Sequence, residues 1–199
     1  MPVEAAETSI RRPRTTPERE MELLDAAMDA LREVGYADLS MDLVAARGRC
    51  SKATLYRLWP SKEQLVVTAL YAMRPIRPEE IDTGTLRGDL LTMVGLLATE
   101  AEKDTALFAA LGHAVLTDED LATTVRISLV EPVCGDLMGL VDRAVKRGEV
   151  PSRPAAADFL PHLLLSVAMT RPLFEGGIAD ADYLTKCVDH VLLPALLHS

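Results

Sequence analysis

The sequence has only three cysteines, Cys50, Cys134 and Cys187, widely separated and in neither a CxxC pair nor a zinc-like spacing. That excludes a disulfide framework and predicts reduced, packed thiols. Charge-free runs are short as well. The longest, Thr105 to Thr117, has 13 residues, below the roughly 18–20 that a membrane-spanning helix needs, so no membrane partner is expected. The opening Met-Pro-Val-Glu-Ala-Ala-Glu is acidic and lacks an apolar run, which reads as no secretory signal and a cytoplasmic location. Catalytic signatures are missing. His113, His162, His190 and His198 fall in no HExxH, ExxH or Cys/His spacing, and no GxSxG, P-loop or GxGxxG occurs. Asp158 and His162, four residues apart, read as an ion pair rather than an acid–base couple. The chain is therefore not expected to be an enzyme, and no metal or cofactor is expected.

What is present is a globular composition: 49% hydrophobic and 26% charged residues, with 30 acids against 21 bases, a net charge of -9. The average hides a local exception. Residues 1–74 carry 11 bases and 11 acids, whereas residues 75–199 carry 10 bases and 19 acids. Inside the balanced part, Leu43 to Lys62 holds Arg47, Arg49, Lys52, Arg57 and Lys62 with no acid, +5 in 20 residues. Such a segment is either an anion-binding patch or a solvated surface of unrelated bases.

Every strong hydrophobic pattern has a helical period, and no run of alternating β-branched residues occurs, so the predicted fold is all-α. Residues 1–15 read as a flexible arm made basic by Arg11, Arg12 and Arg14. Thr16 caps a first helix that starts at Pro17, buries Met21, Leu24, Met28 and Leu31, and is stopped by Gly35. Ser40 caps a short helix to Arg47, Gly48 supplies a turn, and Ser51 caps another from Lys52 to Leu58. Ser61 opens a fourth helix, whose Leu65, Leu70 and Met73 can join a buried face. After a loop over 75–84, helices are expected at about 85–103, 104–116, 119–147, 156–175 and 181–198, with Pro132, Pro161 and Pro194 kinking or offsetting three of them.

The pair of short helices, SMDLVAARGRCSKATLYRLW from Ser40 to Trp59, has the shape that enters a major groove. Val44, Ala45, Cys50 and Leu55 are spaced to attach it to the first helix, leaving Lys52, Ala53, Thr54, Tyr56 and Arg57 outward. Lys and Arg can meet phosphates or guanine, and Ala or Thr methyls can meet thymine. Together with Gly35-Tyr36, Ser40 and SKATLYRLWPSKEQL over Ser51–Leu65, this stretch closely resembles the tetracycline-repressor (TetR) family of bacterial transcription regulators, over about Pro17 to Met73. The resemblance implies a homodimer that binds a palindromic double-stranded DNA operator through paired helices and holds a small-molecule effector in a larger helical domain. Carried over by position, Ser40, Tyr56 and Lys62 would bind phosphates, and Lys52, Ala53, Thr54 and Arg57 would lie at or near the bases. Ser51 belongs to the same surface. Trp59 is either a further contact, through sugar stacking or its indole N–H, or a packing lid. One departure stands out: Gly48-Arg49-Cys50 replaces the family's Ala-Gly-Val. Either the turn shifts to use Gly48, which is the expectation here and aims Arg49 at the DNA backbone, or Arg49 is strained by roughly 1–2 kcal/mol.

Residues 16–74 are thus read as a helix-turn-helix domain and 75–199 as a helical effector-binding and dimerisation domain. Phe159, Leu163 and Val167 with Leu184, Val188, Val191, Leu192 and Ala195 offer more apolar area on the last two helices than one pair hides. That area suits a four-helix dimer interface, or packing on the chain's own domain. Met93, Leu97, Phe108, Leu111, Met138, Val141 and Met169, with His113, Thr170 and Arg171 as polar groups, are candidate lining for an apolar effector's pocket, although helix-spaced Met and Leu are also ordinary core filler. The mechanism this implies is a pair of recognition helices roughly 34–36 Å apart, whose spacing an effector alters through the fourth helix. An alternative is a ligand carrier or enzyme on the same fold that has lost operator binding; a purely structural bundle would bind neither DNA nor ligand.

Overall fold

The computed structural model describes residues 15–198, apart from the side chains of residues 100–106, 108 and 109. Among the described residues all regular structure is helical: α1 Pro17–Asp38, α2 Met41–Arg47, α3 Lys52–Leu58, α4 Lys62–Ala72, α5 Leu86–Thr117, α6 Glu119–Val125, α7 Glu131–Arg147, α8 Leu160–Glu175, α9 Ala181–Cys187 and α10 Leu193–His198. The all-α expectation holds. The basic arm expected over 1–15 lies outside the described residues except for Thr15.

The first four helices start where small polar residues cap them. Thr16 Oγ1 accepts from the Arg19 amide at 3.3 Å, Ser40 Oγ from Leu43 at 3.2 Å, Ser51 Oγ from Thr54 at 3.1 Å and Ser61 Oγ from Gln64 at 3.2 Å. Gly35, at φ 73°, breaks α1 as expected and turns Tyr36 back into the core. The inward row of α1 includes Leu23, Leu24, Met28 and Leu31, while Met21 is exposed, one turn too early to reach the core.

Beyond residue 84 the expected helical spans 119–147, 156–175 and 181–198 stand to within a residue, and one expected boundary is absent. The two helices expected over 85–116 are one, α5, because neither Gly nor Pro stands near Lys103-Asp104 to end it. Pro132 and Pro194 each follow a π-helical stretch, Arg126–Val130 and Val188–Leu192. There the Glu131 and Leu193 amides reach back five residues, to the Arg126 and Val188 carbonyls, so the chain absorbs a residue that cannot donate. Pro161 does not kink anything; it stands in the first turn of α8, where its missing donor has no helical partner. The proline inside α8 is Pro172.

Two aliphatic cores form. The first gathers Leu23, Met28, Leu31, Val44, Leu55, Trp59, Leu65 and Val66 from α1–α4, and also Leu111, Leu121 and Val125 from the end of α5 and α6. The second holds Leu86, Leu90, Val94, Leu140, Val141, Leu160, Leu184, Val188 and Leu192. The head formed by α1–α4 is therefore packed onto α5 and α6 rather than hung on a free linker. Polar bonds add to that seam. Tyr36 Oη donates to Glu63 Oε1 at 2.9 Å and lies 3.5 Å from Asp118 Oδ2, the cap of α6. Arg74, at the end of α4, reaches Asp136 of α7 at 3.1 Å. Burial first, then the two carboxylates, push the Tyr36 hydroxyl far above its ordinary value, so it stays a donor.

Candidate nucleic-acid interface

α3 is a seven-residue helix with one fully buried side chain, Leu55, and Leu58 partly buried against the same core. Leu55 is fully buried among α1, α2 and α4 residues, and it fixes which face of α3 turns outward. Lys52, Ala53, Tyr56 and Arg57 are exposed, with Thr54 half-buried beside them. Ser51, the cap, shares a hydroxyl contact of 2.8 Å with Thr54. Val44 and Ala45 are buried and Cys50 half-buried, as the attachment of α2 and α3 to α1 requires. Burial pushes the Cys50 thiol up despite the nearby Arg19 charge, which keeps it an unreactive packing group. Trp59 is 6% exposed and lies in the first core, the burial that the packing-lid reading requires.

Several cations of the basic stretch already have partners. Lys52 Nζ lies 2.8 Å from Asp42 Oδ2, which raises the Lys52 pKa, chiefly through that hydrogen bond. Arg47 pairs with Glu33 of α1, and Arg57 Nη2 donates to Thr15 Oγ1 at 2.8 Å. Lys62 Nζ donates to the Tyr36 carbonyl at 3.1 Å and stands 4.0 Å over the Tyr36 ring, a geometry that fixes the ammonium at the edge of the head. Asp42 adjoins the acid-free segment and Glu33 lies ten residues before it, so the +5 of that segment is partly offset by acids from outside it. Arg49 has no side-chain partner among the described residues. Asp42→Asn, which removes the anionic partner of Lys52, is expected to tighten duplex binding about threefold and to steepen its salt dependence, measured by fluorescence anisotropy across a salt series; weaker binding would show instead that Asp42 orients Lys52.

The α2–α3 turn corrects another expectation. It does not shift onto Gly48, which has φ -75°; the positive φ falls on Arg49, at 49°. A Cβ on Gly48 would stand 2.7 Å from Leu23 Cδ2 and 3.2 Å from the Val44 carbonyl, so Gly48 serves close approach to α1 while the strained conformation falls on its neighbour.

The candidate effector residues do not converge. Met93 and Val141 are buried in the second core, with Leu97, Met138 and Met169 packed partly buried against it. Leu111 belongs to the first core instead. His113 is exposed beside the Tyr36–Asp118 seam, and the Phe108 side chain lies outside the described residues. The Thr170 hydroxyl bonds the Ser166 carbonyl at 2.7 Å, and Arg171 pairs with Asp180 and Glu175 over the Tyr183 ring, so both polar groups are already engaged. The long single helix α5, unforeseen, is what separates Met93 from Leu111.

The interface candidates divide too. Phe159, Leu163 and Val191 are exposed, at 62%, 37% and 51%, with Val167 and Ala195 half-buried beside them. Leu184, Val188 and Leu192 recur every four residues on the opposite side and are buried in their own core, which removes them from any outward face. Leu173 and Phe174, which the sequence reading passed over, extend the exposed apolar surface of α8. Asp158 pairs with Arg153 at 3.0 Å rather than with His162.

Comparison with known proteins agrees with this architecture. Residues 23–69 match the model for bacterial regulatory proteins of the tetR family, and residues 80–191 match that for the tetracyclin repressor-like C-terminal domain. The DNA-binding transcriptional repressor TetR of Mycobacteroides abscessus is 36% identical over 180 residues, covering 88% of this chain and 92% of that protein. An HTH-type transcriptional regulator of Mycobacterium tuberculosis is 34% identical over 183 residues, covering 91% and 89%. Among solved structures, a TetR family transcription regulator superposes with a TM-score of 0.69 at 26% identity, over 88% of this chain and 97% of that one. The regulator FadR from Bacillus subtilis, solved with stearoyl-CoA, shares the fold at 15% identity, with a TM-score of 0.61 over 88% and 97%.

Proposed function

Because the chain belongs to the tetracycline-repressor family of bacterial transcription regulators, we propose that it binds a palindromic operator as a homodimer, represses transcription there and is released by a small apolar effector. The observation that carries DNA binding is the outward face of α3, Lys52, Ala53, Tyr56 and Arg57, held against the head by the wholly buried Leu55. Ser40, Ser51, Arg49 and Lys62 border that face and would take phosphates, while Lys52, Ala53 and Thr54 would approach base edges and Arg57, near the bases, would take a phosphate beside them. Selection from random duplexes by gel shift tests this: a palindromic consensus is expected, and salt-sensitive binding without any consensus would overturn it. Arg57→Ala is expected to weaken binding about tenfold and to lower the log–log salt slope by about one. An unchanged slope would show that Arg57 meets no phosphate.

For the dimer, the exposed row Phe159, Leu163 and Val191, with Val167 and Ala195, is the proposed contact, since a second copy would cover apolar side chains that one chain leaves in water. Val191→Arg should raise the dimer dissociation constant about thirtyfold, on the order of 2 kcal/mol, in sedimentation equilibrium; an unaltered constant would move the interface elsewhere. For the effector, the second core supplies apolar walls at Met93, Leu97, Met138, Val141 and Met169, and methionine gives walls that repack readily. These side chains are packed together, so a ligand would select a loosened state of the core and act through its preference for that state over the DNA-binding one. The stearoyl-CoA bound by the Bacillus FadR makes molecules with long apolar chains the first to screen, by release of the selected duplex.

A further inference from the structure

We infer that Arg19, in the first turn of α1, is a positioning residue for DNA binding: its guanidinium clamps the α2–α3 turn and so sets where Arg49 and the start of α3 point. The inference rests on the DNA-binding reading above. Arg49 is the one non-glycine residue with positive φ among the described residues, a conformation that a side chain disfavours by roughly tenfold. Gly48, which could take a positive φ without strain, stands instead at φ -75°. The turn must therefore be held by something else. Arg19 Nη2 donates to the Gly48 carbonyl at 2.5 Å and lies 3.4 Å from the Arg49 carbonyl, while Nη1 pairs with Glu22 at 2.5 Å, which orients the fork. These carbonyls follow the last turn of α2, where the chain has left the helix and a cation is electrostatically favoured. The opposite side of the turn is tied only by amides: Arg49 N to the Ala46 carbonyl at 3.2 Å and Cys50 N to the Ala45 carbonyl at 3.0 Å. Ser51, the cap of α3, follows directly, so a turn that relaxes to negative φ at Arg49 carries the start of the recognition helix with it.

The clamp is tested by a cycle of Arg19→Ala and Arg49→Gly, with Arg19→Lys as a companion, each assayed on a duplex that the unaltered protein selects from a random pool. Arg19→Ala is expected to weaken binding about tenfold, because the turn that aims Arg49 and the start of α3 is no longer held. Arg19→Lys should lose nearly as much, since an ammonium lacks the planar fork. In the Arg49→Gly background the cost of Arg19→Ala should shrink to under about twofold, because glycine accepts the turn without help. A loss that is equal in both backgrounds, or full retention by lysine, would each overturn the clamp. Hydrogen exchange without DNA gives a separate arm: the Arg49 and Cys50 amides should exchange about tenfold faster in Arg19→Ala and recover in the double variant. Unchanged exchange overturns the clamp, whereas failure to select any duplex strikes only at the DNA-binding reading.

Discussion

Leu55→Ala is expected to lower the stability of the protein by about 2–5 kcal/mol and to abolish selective duplex binding. Leu55 is wholly buried, and it is the only fully buried residue of α3. Seven residues make under two helical turns, too few to persist without tertiary support. Removing the leucine leaves a cavity where α1, α2 and α4 meet, and the outward face of α3 loses its one fully buried anchor. Differential scanning fluorimetry reads the stability, with each kcal/mol shifting the midpoint by roughly 2–4 °C at this size. Anisotropy on the selected duplex reads function. A variant that melts as the unaltered protein does would show that α3 is held by its caps, not by its core contact. Tyr56→Ala, on the exposed side of the same helix, should leave the midpoint within about 1 kcal/mol of its original stability and change only DNA affinity.

The second large effect is expected at the far end of the molecule. Asp89 is 0% exposed; its Oδ1 accepts from the Thr83 amide at 2.6 Å and hydroxyl at 2.8 Å, and its Oδ2 takes Arg147 Nη2 at 3.2 Å. Arg147 also meets Glu149 at 2.6 Å, and Glu149 accepts the Leu86 amide at 2.7 Å, so this cluster ties the start of α5 to the end of α7. Arg147→Ala strands a buried carboxylate and should cost about 3–5 kcal/mol in denaturant unfolding at pH 7. Asp89→Asn in the same background should recover part of that loss by removing the stranded charge; no recovery would count against the charge argument. The acid behaviour follows from the same groups. Burial alone would push the Asp89 carboxyl up, but the Thr83 bonds and Arg147 hold it below its ordinary value. A depressed carboxylate contributes stability above its unfolded pKa, about 3.9, and that contribution is lost as pH falls through the lower folded value. The unaltered protein should therefore lose this contribution only below about pH 4. Arg147→Ala should move the acid transition upward, an outcome that circular dichroism across a pH series can check.

The helix-turn-helix was legible because its signals are local. Caps at Thr16, Ser40, Ser51 and Ser61, the break at Gly35 and the inward placement of Val44 and Leu55 depend on residues within a few positions of one another. Where a helix end is decided by the absence of a breaker, as along α5, composition gave a false boundary. The proline-linked offsets at Pro132 and Pro194 were foreseen, but their π-helical form was not, because it depends on which amide reaches which carbonyl.

Contacts between distant segments were the part that residue order could not supply. The partners of Lys52 and Arg47, the Arg19 fork on the α2–α3 turn and the Tyr36–Asp118 bond join positions from 10 to 82 residues apart. Sequence by itself determined that the chain is helical, that its first third carries a helix-turn-helix and which face of α3 turns outward, since periodicity and capping are short-range properties of the backbone. Only the tertiary structure decided that Arg49 and not Gly48 bears the positive φ, that Trp59 is buried in the first core, that Met93 and Leu111 belong to different cores, and that Leu184, Val188 and Leu192 face inward. Each of those outcomes depends on which neighbour occupies the space beside a residue, and that neighbour is supplied by another helix.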